Sequence, residues 1–186
     1  MTAAALLRSI VTALDSAGVP FMLTGSLAAA YHGAGRATMD IDVVIDPTPP
    51  QLRALVGSLA GSGAYVLTEA AEEALSHRST FNVVDTTSGW KVDFIVKRDR
   101  AFSETELERR QPAEYEGCRL WVASVEDVIV AKLEWAKLGG SARQLEDVAA
   151  LRRIQAGRLD EAYLGRWIAE LGLAEQWEQV NRGERE

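Results

Sequence analysis

The sequence predicts an α/β front half followed by a helical back half, and three observations predict it. Short apolar runs rich in β-branched residues recur between Phe21 and Val122, punctuated by Gly and Pro. From Ser124 onward the apolar spacing changes to a helical period. Gly139-Gly140, Gly157 and Gly172 then cut that second half into helix-length pieces.

Residues 2–17 carry Leu6, Leu7, Ile10, Val11 and Leu14 at helical spacing, and Gly18 ends that helix. Phe21 to Thr24 reads as a short buried strand, broken by Gly25-Ser26. Leu27 to Tyr31 is a short helix stopped by Gly33 and Gly35. Asp40 to Asp46 is a second strand, given β-branched bulk by Ile41, Val43, Val44 and Ile45. Pro47, Pro49 and Pro50 end it, and Gln51 to Leu59 forms a helix. Tyr65 to Thr68, Thr80 to Asp85 and Lys91 to Lys97 read as further strands, with Ser88-Gly89 as a hairpin turn between the last two. Residues 103–110 are polar and read as a loop or short helix, and Arg119 to Val122 is a last strand. Ser124 followed by Asp127 is a helix-start signature. Helices are predicted over 124–138, 141–156, 159–171 and 173–181, with Arg182 to Glu186 a frayed end. The organisation is an α/β domain over 1–123 and a helical domain over 124–186.

Composition narrows the function classes. The 186 residues are 47% hydrophobic and 25% charged, as in ordinary globular proteins. No apolar run approaches the roughly 18 residues of a membrane span, so no membrane partner is expected. The N-terminal helix lacks a signal peptide's basic start and small-residue cleavage site, which predicts a cytoplasmic protein. The single cysteine, Cys118, excludes an internal disulfide and a Cys-based zinc site, and reads as a buried small residue. A net charge of −7 argues against nucleic-acid binding through a broad basic surface, leaves a local basic groove open, and suits an enzyme for cationic small molecules.

The chemistry concentrates in Gly25-Ser26 and Asp40-Ile41-Asp42. A Gly-Ser pair between a strand and a helix lets backbone approach a phosphate and points free N–H groups at it, with the serine hydroxyl as one more donor. Residues two apart on a strand face the same way, so Asp40 and Asp42 converge. Two carboxylates so close repel unless a cation lies between them, and Mg²⁺ prefers such oxygen ligands. Asp93 interrupts the apolar run Val92-Asp93-Phe94-Ile95-Val96, where a charge is costly without a partner. It is the candidate for the third carboxylate that would complete a two-metal site.

Gly-Ser, an intervening segment, Asp-x-Asp and a distant third aspartate resemble the DNA polymerase beta-like nucleotidyltransferases. The resemblance implies the nucleotidyltransferase fold, a short mixed sheet flanked by helices with a C-terminal helical bundle as the other wall of the cleft. It implies transfer of a nucleoside monophosphate from a nucleoside triphosphate, with Mg²⁺ or Mn²⁺ held by Asp40, Asp42 and Asp93. Gly25 and Ser26 would bind the triphosphate, and Asp93 would also act as, or help position, the base. The segment from Leu27 to Met39 is at the long end for the family.

A narrower resemblance is to the abortive-infection nucleotidyltransferase toxins and their uncharacterised relatives. It rests on Gly25-Ser26, His32-Gly33, Arg36 and Asp40-Ile41-Asp42, then on Ala131-Lys132-Leu133 and the Gln144 to Val148 helix. It implies that Lys132 and Asp147 approach the nucleotide, that the acceptor is RNA or protein, and that a cognate antitoxin exists. On helical spacing alone Lys132 reads rather as a lysine whose stem runs along apolar surface, and Arg143 and Asp147 are one turn apart and spaced to pair. Arg36 either neutralises phosphate charge or pairs with Asp40 or Asp46 to hold the loop. His32 reads as a loop-fixing hydrogen-bonder and Asp46 as a cap or turn residue. Trp135 and Trp167 fall at core spacing, Trp177 packs the last helix, and Trp90 beside the turn is the one candidate for a nucleotide or acceptor surface. The alternatives to a toxin-like enzyme are a small-molecule enzyme of the aminoglycoside or lincosamide nucleotidyltransferase type and a catalytically silent nucleotide-binding or antitoxin-like module.

Overall fold

The structure is a computed structural model that describes residues 3–86 and 88–183. Among these the chain forms one seven-stranded sheet and nine helices. In order they are α1 (Ala3–Ala17), β1 (Phe21–Thr24), α2 (Gly25–Tyr31), β2 (Asp40–Ile45), α3 (Pro49–Gly61), β3 (Ala64–Val66), α4 (Thr68–His77), β4 (Thr80–Asp85), β5 (Lys91–Val96), α5 (Ala101–Glu108), β6 (Gln111–Tyr115), β7 (Cys118–Val122), α6 (Val125–Gly139), α7 (Ala142–Ile154), α8 (Glu161–Glu170) and α9 (Ala174–Gly183). The expected frayed end begins inside α9, and its residues 184–186 lie outside the described residues.

The chain divides into two compact units. The first holds the residues up to Ser26 together with Ala37–Ala123; the second holds Leu27–Arg36 and everything from Ser124. The first unit carries the whole sheet, in the order β3-β4-β5-β2-β1-β7-β6. It is mixed: β2 runs parallel to β5 and β1 parallel to β7, while β1 and β2, β3 and β4, β4 and β5, and β6 and β7 are antiparallel. Alternation along β5 puts Val92, Phe94 and Val96 on a buried face and Lys91, Asp93 and Ile95 on the other. The buried face continues across neighbouring strands through Ile41, Val43, Phe81 and Val83, with the Phe81 and Phe94 rings stacked at 5.2 Å. Helix α1 packs on α3 and β7, and α4 packs on α3 and β4.

The second unit is a helical cluster in which α7 and α8 pack on α6, and α9 contacts all three. Ser124 caps α6 by accepting from the Asp127 amide, as the Ser-x-x-Asp spacing requires. Asp127 is fully buried yet satisfied, its carboxylate taking the Ser124 and Tyr163 hydroxyls. Asp160 caps α8, and its own amide donates to Glu126. Trp167 is buried, but Trp135 is 47% exposed, against expectation. Six residues beyond Ile129, it lies about 120° around the helix from that residue of the apolar stripe.

Two elements went unforeseen. Helix α4 begins at Thr68, where a strand was expected to end, and runs to His77. Its buried face is Ala71 and Ala74 alone, too weak an apolar stripe to announce a helix. Strand β6 contains Pro112 and has mostly half-exposed or exposed residues; it lies at the sheet's edge, where a missing N–H is tolerated. Residues 103–110 resolve as α5 and its end. Cys118 is buried, and burial pushes its thiol above the ordinary value. No helix among the described residues is long and apolar enough to cross a membrane.

Candidate functional site

Four strands of the first unit bring one row of polar residues into register. Thr24 of β1 lies opposite Asp42 of β2, Asp42 opposite Asp93 of β5, and Asp93 opposite Asn82 of β4. Paired residues of a sheet share a face, so Asp42 and Asp93 project side by side. Two pairs along, Asp40 lies opposite Lys91, on the same face. The parallel pairing of β2 with β5 thereby brings Asp40, Asp42 and Asp93, separated by about half the first unit's sequence, to one face of one sheet.

Burial grades across this group. Asp40 is exposed, Asp42 is half-buried, and the Asp93 side chain retains 19% of its exposure. Lys91 joins the row from two residues before Asp93. Its ammonium lies 2.9 Å from Asp93 Oδ2 and 3.6 Å from Asp40 Oδ1. The hydrogen bond to Asp93 chiefly raises the Lys91 pKa above its ordinary value, helped by the charges of Asp93 and Asp40 and opposed by desolvation. The other oxygen, Asp93 Oδ1, is buried and has no hydrogen-bond partner among the described residues. An ionised oxygen in that condition is expensive unless a further group supplies charge or a proton.

Gly25 sits against these carboxylates. Its φ is +63°, a conformation that favours glycine, and a Cβ there would stand 2.0 Å from Asp42 Oδ2. Glycine is thus required twice, by its backbone angle and by the carboxylate lying where a side chain would be. Ser26 follows it, buried.

The donor set suits a hard divalent cation: carboxylate oxygens on one face, one of them orphaned. Among the described residues no group of three or more carboxylate, imidazole or thiol side chains forms a ready cage for a metal. A cage is not what Mg²⁺ needs, because it binds through one or two carboxylates with waters and substrate phosphates completing the shell. The Asp42–Asp93 pair fits that description.

Arg36, Lys132 and Asp147 lie in the helical unit. Lys132 is only 2% exposed, and its ammonium donates to Asp147 Oδ2 at 2.6 Å and Gln144 Oε1 at 3.0 Å. The same Asp147 oxygen accepts from Arg36 Nε at 3.1 Å. Arg36 therefore pairs with Asp147 and not with Asp40 or Asp46, and Asp147 takes Arg36 and Lys132 where Arg143 was expected. Asp46 is held by Arg78 and Lys97. The His32 carbonyl accepts from Gln155 Nε2, which ties the loop to α7. Trp90 is half-buried at the β4–β5 turn, its carbonyl accepting from the Asp85 amide. Sequence reasoning passed over Lys91; the available signal was its position two residues before Asp93 on the same strand, hence on the same face.

Solved structures share this architecture. The antibiotic-resistance factor ANT(2'')-Ia aligns over 95% of this chain and 96% of its own, with a TM-score of 0.63 and 14% identity. The lincosamide antibiotic adenylyltransferase LnuA, solved with lincomycin bound, aligns over 83% of this chain and 98% of its own, with a TM-score of 0.53 and 14% identity. A putative nucleotidyltransferase from Thermotoga maritima aligns over 76% of this chain and 89% of its own, with a TM-score of 0.53 and 19% identity. This chain has the nucleotidyltransferase fold. No protein-family profile matches the sequence, and no curated protein matches it significantly. The likeness accordingly lies in the path of the chain, and the roles of the nucleotidyltransferase-fold residues here have to come from their chemistry.

Proposed function

We propose that the chain is a nucleotidyltransferase that moves a nucleoside monophosphate from a nucleoside triphosphate to an acceptor hydroxyl. One observation carries the reading: Asp42 and Asp93 stand in register on adjacent parallel strands, beside a glycine with no room for a side chain, and Asp93 Oδ1 is buried without a partner. Asp42 and Asp93, with Asp40 at the exposed end, would hold Mg²⁺ or Mn²⁺, and such an ion supplies positive charge to the triphosphate oxygens. Asp93 Oδ1 accepts the proton of the acceptor hydroxyl. The acceptor oxygen bonds to the α-phosphorus as the bond to pyrophosphate breaks. Gly25 and Ser26 would receive the phosphates, as the resemblance implies.

For Arg36, Lys132 and Asp147 the geometry supports a scaffold role before a nucleotide contact. Lys132 and Asp147 already satisfy one another in the helical unit, and Arg36 is oriented by Asp147. Of the three, Arg36 keeps the most exposed side chain and is the one suited to meet phosphate oxygens.

A small cationic molecule is the acceptor class we favour. The net charge of −7 suits a cationic substrate. The fold neighbours support it too, since one was solved with adenylyl-2''-tobramycin and another with lincomycin. Transfer to RNA or protein, as a toxin with a cognate antitoxin, is the reading that the Lys132–Asp147 block favours. The intact trio Asp40, Asp42 and Asp93 counts against a silent module. The test is incubation with labelled nucleoside triphosphates, Mg²⁺ and a cell extract, resolved into RNA, protein and small-molecule fractions. Label in the small-molecule fraction, absent with Asp42→Ala, is expected. Label in no fraction would overturn the enzymatic reading.

A further inference from the structure

Lys91 is the charged residue at this site that the proposed reaction does not use. It sits at the start of β5, on the carboxylate face, with its ammonium 2.9 Å from Asp93 and 3.6 Å from Asp40. Asp40 and Asp93 lie on different strands, so the ammonium spans the seam between β2 and β5. Its side chain is 38% exposed, which leaves a flexible four-carbon stem free to swing. A lysine whose sole task was to stabilise the sheet would gain more by full pairing of Asp93, yet Oδ1 is left orphaned.

We propose that Lys91 is a resident counter-ion that competes with bare divalent metal for Asp93 and Asp40, so that metal enters only by displacing the ammonium. The inference rests on the nucleotidyltransferase reading of these carboxylates. On Asp93 Oδ2 the two cations compete. A divalent ion binds carboxylate oxygen at about 2.1 Å, and an ammonium held on the same oxygen takes up one lone pair and repels the incoming charge. A metal that arrives with a triphosphate meets a different balance, because phosphate oxygens offer the released ammonium new acceptors. Lys91 thereby couples metal binding to nucleotide binding.

The consequence is read directly in binding of Mn²⁺, followed by paramagnetic resonance of the free ion, without turnover. Wild type binds Mn²⁺ alone weakly. Lys91→Met binds it roughly fivefold tighter or more, the scale of one partly exposed ion pair removed. Lys91→Arg keeps the charge and stays near wild type, and Lys91→Gln, which retains a polar tip, should follow Lys91→Met and guards against a misfolded variant. A non-hydrolysable triphosphate should tighten Mn²⁺ binding more in wild type than in Lys91→Met. Equal Mn²⁺ affinity in wild type, Lys91→Met and Lys91→Gln, with binding abolished in Asp93→Asn, overturns the role of Lys91 and leaves the metal reading standing. No Mn²⁺ binding in any variant, with or without triphosphate, overturns both.

Discussion

Two carboxylates of this chain, Asp93 in the sheet unit and Asp147 in the helical unit, face opposite situations. Asp147 has two cations on one oxygen, Lys132 and Arg36, and a lysine partner that is almost completely buried. Asp93 has one oxygen on a half-exposed lysine and the other buried with nothing to accept from among the described residues. Both lie on regular elements, and both were singled out from the sequence as nucleotide-site residues. What separates them is completeness. A cluster whose donors and acceptors match has already met its electrostatic needs, whereas one left short leaves an acceptor open, as the proposed metal site requires.

The strongest way to break this contrast is Asp93→Asn. Nucleotide transfer should fall by about a thousandfold, the scale of losing one preorganised charged group at a reacting phosphate. Unfolding free energy, from urea titration, should stay within about 1 kcal/mol of wild type, because the pair with Lys91 is partly exposed. Transfer reduced less than tenfold would place Asp93 with the structural carboxylates.

Lys132→Met tests the other side. It leaves Asp147 nearly buried with Arg36 as its remaining cation, and breaking a buried pair costs about 3 kcal/mol. Adding Asp147→Leu should recover most of that loss, since two apolar residues of similar volume often replace a buried pair without penalty. Urea denaturation of the wild type, both single variants and the double variant closes the cycle. A loss below about 1 kcal/mol in Lys132→Met would make the pair a surface-like contact and reopen a direct role for Lys132 at the nucleotide.

Gly25→Ala sharpens the comparison from a third position. A left-handed backbone angle costs a non-glycine residue about 1–2 kcal/mol, and the new methyl would press on Asp42 Oδ2. Stability and transfer should therefore fall together, unlike in Asp93→Asn. A thermal melt and an activity assay on the same preparation check it; an unchanged melting temperature would show that the loop relaxes.

Much of the fold was legible because its strands are dense in β-branched residues and its helices end on glycine. β2, β4 and β5 appear within a residue of expectation. Helix α4 and strand β6 were not legible, since one buries only alanines and the other carries a proline at an edge. Asp40, Asp42 and Asp93 could be read individually, Asp93 because a charge in an apolar strand needs a reason. The register that sets Asp42 beside Asp93 could not, as strand pairing across fifty residues leaves no local trace. Lys132 shows the converse limit: helical periodicity placed it near the apolar stripe, but its partners sit one helix away, and only the packing of α6 on α7 brings Asp147 to it.

The smallest effect concerns Lys91 and pH. Its folded-state pKa lies above the ordinary 10.5, first because of the hydrogen bond to Asp93 and then because of the charges of Asp93 and Asp40, with desolvation acting against them. A cationic group whose pKa is raised on folding contributes stability that is fully present below its unfolded pKa and is lost as pH rises through the folded one. In the metal-free protein, the difference in melting temperature between wild type and Lys91→Met should then be constant up to about pH 10 and shrink above it. Other lysines titrate in both proteins and cancel in the difference. The same melts with saturating Mn²⁺ and triphosphate should show the low-pH difference diminished, because the ammonium has already left Asp93. A difference that persists unchanged through high pH would mean that Lys91 stabilises the sheet by packing of its stem, and the sheet's carboxylates would then lack the mobile counter-ion that sets them apart from Asp147.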